Sequence, residues 1–109
     1  MSVSESKKLL TTLGLCARAR KLVFGTEQIC DALKKGKNAP ILVLEAYDTS
    51  ENTHKRLRDR CAYYKVEHVR LECDTCELGK AVGKLSALSS VGITDAGLCQ
   101  AVKAKLEEK

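Results

Sequence analysis

A chain of 109 residues with 44% hydrophobic and 30% charged side chains is sized for one domain spanning 1–109, with its own core, and is not a disordered tail. Its longest strongly apolar run, Pro40 to Leu44, is too short to cross a bilayer, and the start MSVSESKK lacks the apolar centre of a secretion signal; the expectation is a cytoplasmic protein with no membrane partner. The formal net charge of +5 suits a polyanionic partner, and seven Lys/Arg against three Asp/Glu before Gly36 place most of the surplus in the first third.

In chain order, about Ser4 to Ala19 reads as a first helix. Leu9, Leu13, Cys16 and Ala17 form its buried stripe, with Glu5, Lys7 and Lys8 toward water. Lys21 to Phe24 is a short strand or extended link. The stretch GTEQICDALKKG, Gly25 to Gly36, is a helix whose start and stop are both written in the sequence. Gly25 permits a tight turn, Thr26 is placed to cap the first free amides, and Gly36 is the expected left-handed terminator. Ile29, Cys30 and Leu33 share its inner face. Asn38, Ala39 and the only proline, Pro40, then lead to ILVLEA at 41–46, a continuously apolar run of the kind buried on both faces of a sheet.

Ser50 and Thr53 within DTSENT open a third helix running to about Tyr64, with Leu57, Cys61 and Tyr64 inward and Lys55, Arg56, Arg58, Asp59 and Arg60 largely outward. EHVRL at 67–71 alternates like a strand. Asp74 and Glu77 have capping-box spacing ahead of a short helix through LGKAVG. Ser90 to Thr94 is a fourth strand, and Asp95 caps a last helix bearing Leu98, Val102 and Leu106. This alternation predicts an α/β fold, a central sheet with helices on both faces.

A glycine turn feeding an open helix start gathers outward-pointing amides of positive partial charge, which favour phosphate or a base edge. Arg18, Arg20 and Lys21 lie just before Gly25, so this end of the helix reads either as simply a turn and a capped helix or as the candidate RNA contact. Backbone amides and cationic side chains would hold phosphates, Gln28 would address a base edge, and Glu27 would accept from a guanine. The basic run Lys55, Arg56, Arg58 and Arg60 reads as a solvated helix face or as a contact for ribosomal RNA or an acidic protein. With a single Phe and no Trp, and with Tyr63 and Tyr64 helical and partly packed, base stacking on aromatics is not expected to dominate.

Of the six cysteines, Cys16, Cys30, Cys61 and Cys99 fall on apolar helix faces and read as reduced core residues. Cys73 and Cys76 form a C-x-x-C between a strand and a helix start, where a redox pair or half a zinc site can sit. No second pair completes a zinc site, and Asp74 takes the cap position, so no metal or cofactor is expected. His54 lies on a charged helix face and His68 in a strand, neither beside an evident nucleophile; each reads as solvent-exposed or packed. The expectation is a non-enzymatic protein without a small-molecule substrate.

Leu13-Gly14-Leu15 with Ala17 and Arg18, Lys21-Leu22 with Gly25, Cys61 with Tyr63-Tyr64 and Val66, Leu78-Gly79-Lys80 with Gly83-Lys84, and Thr94-Asp95 with Gly97 span nearly the whole chain. In this order they resemble the kink-turn-binding ribosomal-protein family of archaea and eukaryotes, and within it the bacterial YlxQ-like branch of ribosomal or RNA-binding proteins. The resemblance implies a three-layer α-β-α sandwich on a four-stranded mixed sheet. It also implies RNA contact at the helix start at Thr26 and at the loop after Gly83, which opens with Lys84 and whose Leu85, Ala87 and Leu88 would cover unstacked bases or else close the end of the core before the last strand. Ribosomal RNA, another structured RNA, the ribosome and ribosomal proteins are the implied partners. Kink-turn binders of the family read Gly-x-Asn-Glu-x-x-Lys at the helix start. Here Gly25 matches, while Glu27, Gln28 and Asp31 stand in place of the Asn, Glu and Lys. Bacterial binders with Gly-Thr-Lys-Gln match at Gly25, Thr26 and Gln28 but not at Glu27. Two carboxylates beside an anion-binding surface, neither able to donate to guanine O6 or N7, set kink-turn specificity in question. They leave a second reading, a protein-interaction module that kept the fold and lost specific RNA binding.

Overall fold

A computed structural model describes residues 3–37 and 39–107, with side chains from Lys7 to Leu106; the expectations for Asn38 and for the side chain of Glu5 lie outside the described residues. The elements run α1 Val3–Arg18, β1 Leu22–Phe24, α2 Thr26–Lys35, β2 Leu42–Glu45, α3 Glu51–Tyr63, β3 Glu67–Arg70, α4 Thr75–Ala81, β4 Ser90–Ile93 and α5 Ala96–Glu107. Each matches an expected element to within about two residues, because each is bounded by local chemistry. Ser50 caps α3 through the Thr53 amide at 3.2 Å, and Asp74 with Glu77 completes the capping box of α4. Asp95 receives the Leu98 amide at 2.9 Å at the start of α5, and Gly36 ends α2 in the left-handed region at φ 70°.

The strands form one mixed sheet in the order β1-β4-β2-β3. β2 and β3 are parallel, joined across α3, while β4 runs antiparallel to both of its neighbours, β1 and β2. Being central, β2 and β4 are buried along their whole length, as the apolar run at 41–46 foretold.

Side chains alternate across the sheet and so build two cores. Leu42 and Leu44 with Val91 and Ile93 face α1, α4 and α5, where Leu9, Leu13, Cys16, Leu78, Cys99 and Val102 close the larger cluster. Val43 faces the other way, onto Ile29 and Leu33 of α2 and Leu57 and Cys61 of α3. This is the three-layer α-β-α sandwich. Each fully buried Leu contributes about 1.5–3 kcal/mol relative to an exposed one, so the alternation within β2 alone holds helices on both faces.

The apolar reading of 41–46 fails at Glu45, which is wholly buried on the same face as Val43. Burial of a carboxylate is costly unless donors meet it. Here Thr49 donates to Oε2, and His54 Nδ1 and His68 Nε2 both lie 2.8 Å from Oε1.

Candidate nucleic-acid interface

The turn into α2 is built on Gly25, at φ 86° and ψ 151°, a conformation that a Cβ would strain. Its own amide is held by the Ser90 carbonyl at 2.9 Å, and its carbonyl accepts the Ile29 amide at 3.0 Å. No side chain caps the helix. The expectation that Thr26 caps α2 is therefore corrected: Thr26 is the first helical residue, and its hydroxyl lies 2.9 Å from that of Ser89 and 3.1 Å from that of Ser90. The reason is topological. β4 pairs beside β1, so its first residues pass directly over the β1–α2 turn and claim the hydroxyl that a cap would use.

The same pairing joins two candidate segments that the sequence keeps some sixty residues apart. The 84–90 loop leaves α4 with the Lys84 amide on the Gly79 carbonyl at 2.8 Å and returns through the Leu88 amide on the Thr75 carbonyl at 3.0 Å. Lys84 holds its ammonium 4.2 Å from the centre of the Phe24 ring, immediately before Gly25. Leu85 is fully exposed at the loop tip, and Ala87 is exposed beside it. Leu88 differs: it is half-buried and packs on the larger core, so it closes the molecule and is not presented to a base with the other two.

Glu27 and Gln28 are exposed on the first turn of α2. They line a shallow groove with Phe24, Gly25, Thr26 and Ser89 on one side and Thr53 and Arg56 of α3 on the other. A second groove continues along α2 and α3 past Asp31, Lys34 and Arg60. Glu27 approaches Arg56 at 4.0 Å, and Asp31 pairs with Lys35 at 3.0 Å; both contacts are largely exposed and are worth little in stability. Their effect is to neutralise part of the acidic charge that the sequence set beside this surface. Thr53, Arg56 and Arg60 were missed as residues of these grooves, whereas Ser89 falls within the 84–90 candidate loop. The basic run on α3 was the only sequence signal for the two arginines, and nothing local says that α3 packs against α2.

Arg18, Arg20 and Lys21 are exposed but lie elsewhere. The Lys21 carbonyl accepts from Thr94 at the far end of β4, so the length of β1, about 10 Å, separates it from Gly25. Arg18 lines a separate groove with Gly14, Lys80 and Gly83. Adjacency in sequence to Gly25 thus does not carry these three cations to the groove at the start of α2. Tyr63, expected to be partly packed, is 78% exposed with its ring against Tyr64, whereas Tyr64 packs on the smaller core.

All six cysteines are free thiols, and Cys16, Cys30, Cys61 and Cys99 are buried in the core as expected. Within the C-x-x-C, only Cys76 is exposed; burial, and then the charge of Glu77, push the Cys73 thiol up to about 11, the reverse of an activated thiolate. Among the described residues, the side chains able to converge on a metal ion are Glu45, His54 and His68, whose ligand atoms lie within 4.8 Å of one another. Both histidines are packed rather than solvent-exposed, and their shared carboxylate was invisible while 41–46 read as purely apolar.

The sequence model of the ribosomal protein L7Ae/L30e/S12e/Gadd45 family matches residues 7–103. The chain is 38% identical over 85 residues to the RNA-binding protein YlxQ of Bacillus subtilis (strain 168), covering 78% of this chain and 81% of that one. It is 31% identical over 107 residues to the RNA-binding protein YlxQ of Enterococcus faecium, covering 98% and 99%. Among solved structures, a protein of unknown function from Bacillus halodurans C superposes with a TM-score of 0.83 at 35% identity, over 93% of this chain and 98% of that one. The Giardia lamblia 15.5kD RNA binding protein superposes with a TM-score of 0.74 over 97% and 88%; at 19% identity it speaks to the fold alone.

Proposed function

The chain belongs to the ribosomal protein L7Ae/L30e/S12e/Gadd45 family, and from that premise we propose that it binds a structured RNA and performs no chemistry on it. The observation that carries the reading is the junction of the α2 start with the 84–90 loop through Thr26, Ser89 and Ser90, with Arg56 and Lys84 at its edges. Uncapped helix-start amides and the two cations suit phosphates, which fix position; Gln28 offers a donor and an acceptor to a base edge; and Leu85 with Ala87 offers apolar cover to an unpaired base. Arg18, Arg20 and Lys21 are assigned to a second, outlying phosphate contact. The partner is ribosomal or another folded RNA in the cytoplasm, met by a single domain.

Kink-turn specificity is the finer part of the proposal. Glu27 cannot donate to a guanine, so affinity for a kink-turn hairpin is expected to exceed that for an unstructured RNA of equal length only modestly. Fluorescence anisotropy with these two RNAs at several salt concentrations tests both parts. The proposal expects saturable binding that falls steeply with salt and weakens on Arg56→Glu or Lys84→Glu. Absence of saturable binding at low salt, or indifference to both substitutions, refutes it in favour of a protein-interaction role.

A further inference from the structure

We propose that Glu45, His54 and His68 form a binding site for a divalent transition-metal ion of the zinc class. The three donors come from three different elements, the end of β2, the first turn of α3 and the middle of β3, and meet between the sheet and α3. Both imidazoles point at a single carboxylate oxygen, with His54 Nδ1 and His68 Nε2 each 2.8 Å from Oε1. Thr49 donates to the other oxygen, Oε2, which fixes the carboxylate plane as an outer-shell partner of a metal ligand does. Elsewhere this face of the sheet is lined by Val43, Leu57 and Cys61, and an apolar side chain in place of Glu45 would avoid the cost of burying a charge.

The donor set selects the ion. One carboxylate and two imidazoles suit zinc and its transition-metal neighbours, whereas calcium and magnesium prefer all-oxygen sites. Ligands about 2.0–2.1 Å from a tetrahedral ion stand about 3.3 Å apart, so the two hydrogen-bonded pairs open by only about half an ångström when the ion enters. Three protein ligands leave one position for water, and the partly exposed His54 side chain marks the route in from solvent. Binding needs no redox partner. The ring protons now shared with Oε1 move to the opposite nitrogen of each neutral imidazole, and a proton is released for each imidazole that was charged. A bound ion would clamp the first turn of α3, which carries Thr53 of the groove, to β2 and β3. The inference does not rest on RNA binding and is tested without RNA.

The probes are zinc, by chelator competition on the folded full-length protein, and cobalt, by visible absorption. The expected result is one ion per chain, a raised thermal midpoint with zinc, and a cobalt spectrum lacking the intense band of thiolate ligation. His54→Gln and His68→Gln are each expected to weaken binding at least 100-fold, and Thr49→Ala about tenfold, while Cys73→Ser with Cys76→Ser changes nothing. Glu45→Gln keeps the shape of the site, so folded protein shown by circular dichroism with zinc affinity lost supports the assignment if a histidine substitution destabilises the chain. The proposal is overturned if folded wild-type protein ignores micromolar zinc, if binding survives both histidine substitutions, or if it is lost with Cys73→Ser.

Discussion

Glu27 is the sharpest test of the proposed RNA surface, because it is an acid at the centre of a site meant for an anion. It is 88% exposed and stands 4.0 Å from the Arg56 guanidinium. A phosphate docked on Arg56 would therefore lie about 6 Å from its carboxylate, a repulsion of about 0.7 kcal/mol in water. Physiological salt, with a screening length of about 8 Å, halves this to about 0.3 kcal/mol. Glu27→Gln is thus expected to tighten RNA binding by slightly less than twofold, and Glu27→Lys, which turns repulsion into attraction, by about threefold. The lysine variant should also steepen the dependence of log K on log salt by about 0.7–0.9, the signature of one added phosphate contact. An opposing effect acts on stability only: an acid in the first turn favours the helix dipole by about 0.3–1 kcal/mol, too little to unfold the chain at 25 °C. Anisotropy titrations of the three proteins at matched salt decide the matter. Unchanged affinity in both variants would place the RNA elsewhere. Tenfold weaker binding by Glu27→Gln would mean that Glu27 accepts a hydrogen bond from a base, and that charge repulsion is the wrong account.

Gly79→Ala should displace the 84–90 loop, since a Cβ there would stand 2.3 Å from the Ser86 carbonyl oxygen; the expected cost is about 1–3 kcal/mol by denaturant titration, with weaker RNA binding. Leu13→Ala empties a fully buried position between α1 and the sheet and should cost about 2–5 kcal/mol, leaving the groove at α2 intact. Asp74→Ala removes the carboxylate half of the α4 capping box, leaving the Glu77 side chain on the backbone amide of residue 74, and should lower stability by about 1 kcal/mol. Burial raises the thiols of Cys61 and Cys73 to about 11, so the folded state holds protons that the unfolded state releases. Stability is then full below the ordinary thiol pKa and falls as pH rises toward 11, with a shallower fall in Cys61→Ala/Cys73→Ala. At pH 8, iodoacetamide should label Cys76 before either.

The order and kind of the elements were legible from the sequence because local chemistry sets them. Ser50, Asp74 and Asp95 cap helices through side chains a few residues away; Gly25 and Gly36 bracket α2 by backbone freedom alone; and the 3.6-residue spacing of Leu9, Leu13 and Cys16 names its own buried face. The helix start as an RNA contact was read from Gly25 and its cationic neighbours; the family resemblance added the four-stranded mixed sheet and the loop after Gly83 as a second RNA contact. What stayed hidden depends on strand pairing, which no local pattern states. Pairing of β4 with β1 takes the Thr26 hydroxyl for Ser89 and Ser90, and ties the Lys21 end of β1 to Thr94, away from the groove at Gly25. Packing of α3 on α2 brings Thr53 and Arg56 to the groove, and parallel pairing of β2 with β3 gathers His68 and His54 on Glu45. A short chain segment declares its own conformation through caps, turns and periodicity. Its neighbours across the sheet are chosen by burial of the whole apolar surface at once, and only the folded molecule reveals that choice.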